Sequence, residues 1–276
     1  MTGGINLFSK PKLRNPVLVV GWEDDAGGLG SGVVDYLQTE SHGEPFCEID
    51  PVPFFSLSGV TIDNNVVVFP DSTFYAFPEN DLVVFSSTIP RYEWFRFLNI
   101  ILDVCQKHCK IKEIYTVGGM LSLSPHTEPR DLWANFSSPQ MKKLMAPYEL
   151  SRELNFETPP GGRPTLNSFL LWAAKRRSIK AANLWVPIPF YLVDSDDPRA
   201  QKKALEFFDK RLKLNLDFGW LGNKIKEQDN RIVNLREQKP DIDRSINKLE
   251  GNMRLSEEEH ERLVKEVHEF LAKSEK

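Results

Sequence analysis

The sequence predicts an α/β protein, a three-layer α/β/α sandwich around a mostly parallel or mixed sheet, with a C-terminal helical extension. An apolar run at 16–21 leads through a glycine-dense loop into an amphipathic stretch that ends at Leu37, which is the order strand, loop, helix. Strand and helix signals then alternate over about the first 195 residues. This alternation predicts one sheet with helices on both faces.

The strands are predicted from short runs rich in Val, Ile and Phe that Pro, Gly and Asn interrupt. They are expected at residues 16–21, 45–49, 65–69, 82–85, 112–117 and 183–188.

The helices are predicted from apolar residues at spacings of three and four and from capping residues. A helix from about Arg91 to His108 has an apolar stripe, and a short helix is expected at 141–145. Thr165 begins a helix whose last turn carries Lys175–Arg177, and Asp197-Pro198 begins a helix that runs to about Leu214.

The composition changes after Trp220, where strand signals stop and charges of both signs surround sparse Ile, Leu and Val. Ser256 to Glu259 forms a capping box before an apolar face. We therefore expect an α/β core domain over 1–215 and a charged helical extension over 216–276. The apolar face of the extension packs either on the chain's own core or on a partner.

The glycine loop invites comparison with phosphate-binding loops, and its residues argue against that function. Gly27, Gly28 and Gly30 are present, but no Lys-Ser or Lys-Thr follows the last glycine as a P-loop requires. The third glycine of a dinucleotide fingerprint is also missing. The acidic run 23–25 would repel a phosphate. We expect the loop to serve close backbone packing.

The overall composition excludes several classes of protein. A net charge of −4 gives no electrostatic case for nucleic acid binding or for an acidic membrane surface. No apolar run approaches the ~18 residues that span a bilayer, and the N-terminus lacks the layout of a signal peptide. Three cysteines fit a reducing compartment. We expect a soluble, cytoplasmic protein.

Three side chains are candidates for acid/base catalysis. Asp24 and Asp25 follow the first strand, and His126 lies in a Pro- and Ser-rich loop after Gly118-Gly119. Ligands of open α/β sheets bind beyond the carboxyl ends of the strands, where these residues are expected. The structural alternative is that the acids cap a helix and that the histidine bonds the backbone.

A candidate anion site follows the strand at 82–85. Ser86, Ser87 and Thr88 offer hydroxyl groups at a helix start whose first turn carries Arg91. The alternative is an ordinary helix cap beside a surface arginine.

Metal binding is not expected. Cys105, His108 and Cys109 are close together, but the cysteines share the apolar stripe of their helix and no second Cys or His pair completes a tetrahedral set.

Four segments of the chain, in their order and spacing, resemble the proteasome assembly chaperone two family, in its bacterial and archaeal branch. The likeness spans about Pro16 to Leu271. The segments are 16–37 with its glycine loop, Val117-Gly-Gly119, Pro125-His-Thr127 and Val186–Leu192. The resemblance implies a fold like that of the nucleoside phosphorylases and homo-oligomers that are often trimers. It implies no established reaction.

The chain departs from the family pattern at three points. Glu128 stands where relatives have Arg, and Ile188-Pro189 where they have His. The last residues, Ala272–Lys276, lack the hydrophobic-Tyr-X tail with which some archaeal relatives dock on proteasome rings. These differences argue against a shared anion or acid/base site and against that docking route.

The sequence favours a non-catalytic, assembly-chaperone-like or protein-interaction protein. Its expected partners are further copies of itself, most often as a trimer, and another protein complex, and no cofactor is expected. The alternative is a hydrolase or phosphorylase acting on a small molecule, with Asp24, Asp25 and His126 in catalysis and Arg91 holding an anion.

Overall fold

The computed structural model describes residues 4–41, 43–151 and 165–272. One large mixed sheet has the strand order β1-β3-β6-β7-β2-β8-β10-β9, and β4 and β5 pair with each other as a separate hairpin. The strands are β1 (Ile5–Leu7), β2 (Val17–Trp22), β3 (Glu44–Ile49), β4 (Thr61–Asp63), β5 (Val66–Val68), β6 (Ser72–Phe77), β7 (Leu82–Ser87), β8 (Glu113–Ser122), β9 (Trp133–Phe136) and β10 (Lys180–Pro189).

The helices are α1 (Leu29–Ser41), α2 (Trp94–Asp103), α3 (Pro139–Leu144), α4 (Leu166–Arg176), α5 (Pro198–Leu212), α6 (Gly219–Gln238), α7 (Pro240–Glu250) and α8 (Glu257–Ala272). A π-helical turn, Val104–Cys109, continues α2.

The centre of the sheet is parallel and its flanks are antiparallel. β7, β2, β8 and β10 run in one direction, so that Val19 lies between Val84 and Tyr115. β1, β3, β6 and β9 pair antiparallel to their neighbours. Because parallel strands end on the same side, the ends of the four central strands form one edge, here called the carboxyl edge. The predicted fold class is confirmed.

Helices cover both faces of the sheet, because alternate residues of each strand point to opposite sides. Leu18 and Val20 of β2 belong to a core with α2 and α4. Val17 and Val19 belong to a second core with α1, α3 and α5. The molecule is therefore a three-layer α/β/α sandwich.

The C-terminal helices α6, α7 and α8 pack on the α1 and α5 side of this sandwich. Their buried apolar residues share one cluster with the sheet: Leu221, Ile232, Leu235, Ile242, Ile246, Leu249, Leu263, Val267 and Leu271. The Tyr36 hydroxyl of α1 also donates to the Asp217 carbonyl oxygen. The domain boundary after residue 215 stays a prediction, and Lys273–Lys276 lie outside the described residues.

Several predicted elements need correction. The helix expected from Arg91 begins at Trp94, because the backbone N–H groups of Arg91 and Tyr92 donate to the Phe54 carbonyl oxygen and Glu93 has a φ of 53°. The strand expected at 65–69 belongs to the β4–β5 hairpin instead of the main sheet. β1, β4, β6 and β9 were not expected, because their sequences are short or mix apolar with polar residues.

Candidate functional site

The glycine loop after β2 is held by backbone contacts. Gly27 has a φ of 69°, its N–H donates to the Val193 carbonyl oxygen, and its own carbonyl oxygen accepts from the Asp197 N–H. An added Cβ would lie within 3.0 Å of a neighbouring atom at each of Gly28, Gly30, Gly118 and Gly119. The loop therefore fits tightly against β8 and the chain after β10, with side-chain atoms of Asp196 directly beside Gly28.

The two candidate acids differ in their surroundings. Asp24 is exposed, whereas Asp25 is partly buried and its carboxylate accepts a hydrogen bond of 2.7 Å from the Gly119 N–H. Burial raises the pKa of Asp25 to about 7, although hydrogen bonds from the backbone of Gly119, Ala26 and Gly30 oppose the shift. Asp25 is thus the one of the two that joins the loop after β2 to β8.

His126 is buried and packs edge-on against Tyr191. Its backbone N–H donates to the Tyr191 hydroxyl over 2.6 Å, and its ring Nδ1 lies 2.9 Å from the same oxygen. Burial lowers the pKa of His126 to about 4, with Asp229 and Glu250 opposing the shift. The imidazole is therefore neutral near pH 7 and ties its loop to the chain after β10.

Arg130, four residues further on, forms a buried ion pair with Asp197. Its Nη2 and Nε donate to one carboxylate oxygen of Asp197 over 2.9 and 3.0 Å. The other oxygen caps α5 by accepting from the Ala200 N–H over 3.0 Å, and the Asp197 N–H donates to Gly27. One pair thus joins the histidine loop, the glycine loop and α5.

The sequence did not indicate this pairing. Asp197 was recognised only as a helix cap, and neither Arg130 nor Tyr191 was a candidate site residue. Glu128 is exposed, and its carbonyl oxygen accepts from Arg130.

The candidate acid/base residues have separate hydrogen-bond partners. Within the described ranges, no hydrogen bond or ion pair joins Asp24 or Asp25 to His126. Asp25 bonds Gly119, and His126 bonds Tyr191. The structure therefore brings both residues to loops near the carboxyl edge with separate partners.

The candidate anion residues are engaged with other groups. The Ser87 hydroxyl contacts the Ser72 hydroxyl at 2.8 Å, and the Thr88 hydroxyl donates to the Glu23 carboxylate over 2.5 Å. Burial raises the pKa of Glu23, and Asp71 adds to the shift, whereas the Thr88 bond opposes it. Ser86 pairs with Gly21 and Thr73 in the sheet, and Arg91 is exposed before the helix begins.

Among the residues that the structure describes, no group of three or more His, Cys, Asp or Glu side chains could hold a metal ion. Cys105 and Cys109 are buried in the π-helical turn, and burial raises the pKa of both thiols, to about 12 for Cys109.

An apolar groove lies between α4 and the β8–β10–β9 end of the sheet, with a volume of about 730 Å³. Leu121 and Trp172 are prominent on its surface, with exposed fractions of 62% and 45%. Of the lining residues that the structure describes, Lys175 is the charged one. Such an apolar surface is typical of protein contacts.

The protein is thus an α/β/α sandwich. Backbone hydrogen bonds and a buried Arg–Asp ion pair hold its loops together at the carboxyl edge. The model of the PAC2 family matches residues 18–236, and the chain belongs to this family. The resemblance to the proteasome assembly chaperone two family is thereby confirmed.

Solved structures share this fold. A Mycobacterium tuberculosis protein of unknown function is similar with a TM-score of 0.76 and 19% identity, over 91% of this chain and 89% of that one. A PAC2 family protein from Streptomyces avermitilis has a TM-score of 0.66 and 22% identity, over 77% and 92%. A Pyrococcus furiosus archaeal proteasome activator has a TM-score of 0.68 and 22% identity, over 82% and 95%.

No curated protein matches the sequence. Among the described helices, none is both long enough and apolar enough to cross a membrane.

Proposed function

We propose that this protein is a non-catalytic, assembly-chaperone-like protein that works as a homo-oligomer, a trimer, and binds another protein complex. Membership of the PAC2 family supports the proposal. So do similar structures described as a proteasome-assembly chaperone homologue from Mycobacterium tuberculosis and an archaeal homologue from Pyrococcus furiosus.

The proposal rests mainly on one observation: the buried polar residues at the carboxyl edge bind other parts of the chain. His126, Arg130 and Asp197 are buried and hold loops together. A buried imidazole whose pKa is about 4 is a poor base for a substrate in the cleft. The groove between α4 and the β8–β10–β9 end of the sheet is apolar, which suits a protein partner better than a polar small molecule.

A tagged copy of the full chain expressed in its native cell tests the proposal. We expect it to co-purify with a protein complex in fixed stoichiometry, and we expect the purified chain to turn over neither nucleosides nor esters. Turnover that Asp25→Asn and His126→Ala both abolish would show that the protein is an enzyme.

One observation favours the alternative, a hydrolase or phosphorylase. A carboxyl group with a pKa of about 7 at the end of β2 is suited to general acid/base catalysis at neutral pH. An activity of this kind would show a pH profile with an inflection near pH 7 that Asp25→Asn removes and Asp24→Asn preserves.

A further inference from the structure

The β4–β5 hairpin presents apolar side chains to solvent. Ile62 and Val67 face each other across the hairpin and are 74% and 68% exposed. Val66, Val68 and Leu57 are exposed beside them. Neither strand pairs with the main sheet, and a two-stranded hairpin alone is marginally stable in water. The hairpin therefore lacks the second surface that such apolar strands normally cover.

The base of the hairpin is fixed to the core. Phe55 is buried, packs edge-on against Phe69 and contacts Phe97 of α2. Asn64 and Asn65, at the tip, both have a positive φ, as a tight hairpin turn requires. The apolar strands of the hairpin thus extend from a base that is packed on the core, and the turn that joins them is polar.

The hairpin and the groove beside α4 have matching chemistry. Asp63 is the only charged residue between Pro51 and Pro70, although 27% of the whole chain is charged. Among the described residues that line the groove, Lys175 alone is charged, and the Arg176 guanidinium lies 5.1 Å from the centre of the Trp172 ring. One surface is an apolar projection with a single acid, and the other is an apolar recess with cations.

The two surfaces lie toward opposite ends of the sheet within one chain. The hairpin connects β3 to β6, and the groove follows β8, β10 and β9. In the strand order, β6 and β10 are four spacings apart, and at about 4.8 Å for each spacing this is about 19 Å. The hairpin, with strands of three residues, therefore leaves the sheet at a distance from the groove of its own chain.

We propose that the hairpin of one copy inserts into the α4 groove of a second copy, where Asp63 pairs with Lys175. Such a contact joins two different patches and closes into a ring when the rotation between copies allows it. This inference rests on the proposed homo-oligomer and identifies the surfaces that form it.

Charge exchange in the full chain tests the contact. Asp63→Lys and Lys175→Asp should each raise the dissociation constant of the oligomer about tenfold or more, because each places like charges together. The double variant, with the pair reversed, should restore association. Sedimentation equilibrium measures the mass at several concentrations. The exposed residues Glu79 and Lys180 offer control variants, Glu79→Lys and Lys180→Asp, that should leave the mass unchanged.

Cross-linking gives a second readout. The native thiols Cys47, Cys105 and Cys109 are buried, so a short bis-maleimide will react selectively with introduced cysteines. The variant Ile62→Cys with Leu121→Cys should give a ladder of covalent oligomers, whereas either single variant should give none. A cross-link within one chain would overturn the proposal.

The outcomes separate this inference from the proposed function. A monomeric wild type, or an oligomer whose mass neither charge variant changes, overturns the hairpin contact. If an oligomeric wild type whose mass neither charge variant changes still binds a protein complex, the proposed function stands without this contact. If a monomeric wild type binds a protein complex, only the partner-binding part of the proposed function stands. If the charge exchange succeeds but the protein proves to be an enzyme, the contact stands and the proposed function fails.

Discussion

The Arg130 guanidinium and the Asp197 carboxylate form an ion pair that is sealed from solvent, with side-chain exposures of 3% and 0%. Asp197 uses its remaining oxygen and its N–H to hold α5 and the glycine loop. The pair therefore determines how three segments meet at the carboxyl edge. Its energetic value lies in the completeness of its hydrogen bonds, because a buried ion pair stabilises a fold only when its charges are fully satisfied.

Removing one partner of this pair is expected to destabilise the fold. Arg130→Ala should lower the free energy of unfolding by about 3–5 kcal/mol, because it leaves the Asp197 carboxylate buried without its cation. Urea denaturation measures the change. Lys202→Ala is the control, since Lys202 pairs with Glu206 at the surface at 3.9 Å and should cost under about 1 kcal/mol. If Arg130→Ala lowers the free energy of unfolding by no more than Lys202→Ala does, the prediction is wrong.

His126 is expected to make the fold sensitive to mild acid. Its pKa is about 4 in the folded chain and 6.5 ordinarily, so the unfolded state takes up the proton first as pH falls. Its stabilising effect is thus complete above pH 6.5 and is lost progressively toward pH 4. The shift corresponds to about 3 kcal/mol at most.

Two measurements check this dependence. The NMR signals of the His126 ring should stay those of a neutral imidazole at pH 5.5, and His126→Asn should lose less stability than the wild type between pH 7 and pH 5. An imidazole that titrates near 6.5 in the folded chain would disprove the account.

Asp25 is expected to have the opposite pH dependence. Its pKa is raised from 3.8 to about 7, so the folded state keeps a proton that the unfolded state has already released. Stability from this group is complete below pH 3.8 and is lost as pH rises through 7. Between pH 5 and pH 8, the free energy of unfolding of Asp25→Asn should therefore rise by about 2 kcal/mol relative to that of the wild type. Exposed Asp24→Asn should show no such gain, and equal responses of the two variants would refute the prediction.

Substitution by alanine is expected to have opposite effects on stability at Gly21 and at Gly222. A Cβ on Gly21 would lie well under 3.0 Å from the Gly30 carbonyl oxygen, which is backbone and cannot rotate away. Gly21→Ala should therefore cost about 3 kcal/mol or more. Gly222 lies in α6 with no atom within 4 Å of its added Cβ, so Gly222→Ala should stabilise by about 0.5–1 kcal/mol. Thermal unfolding measures both, and a tolerated Gly21→Ala would show that the loop can shift.

Local sequence patterns predicted much of the fold. The central strands follow from continuous apolar runs, and the caps at Thr165, Asp197 and Ser256 follow from residues within three or four positions of their partners. These interactions are readable because both members of each lie in one short segment.

The organisation of the candidate site could not be read in the same way. Arg130 and Asp197 are 67 residues apart, and His126 and Tyr191 are 65 apart. No local period or spacing links such residues, so their roles depend on the tertiary fold that places β10 beside β8. For the same reason, the sequence showed a strand at 65–69 but not that it would pair outside the main sheet.

A substitution in α6 tests whether the C-terminal helices form a separate unit. Leu235 is fully buried in the cluster that includes the sheet, whereas Val233 in the same helix is exposed. Leu235→Ala should cost about 2–5 kcal/mol, and Val233→Ala should change the free energy of unfolding by less than about 0.5 kcal/mol. Because the cluster is continuous, we expect Leu235→Ala to lower one cooperative transition. Far-ultraviolet circular dichroism should show it equally with tryptophan fluorescence in a Trp220→Phe background, where the remaining tryptophans all precede residue 216. Two separate transitions, with only the helical one shifted, would instead establish residues 216–276 as an independent domain.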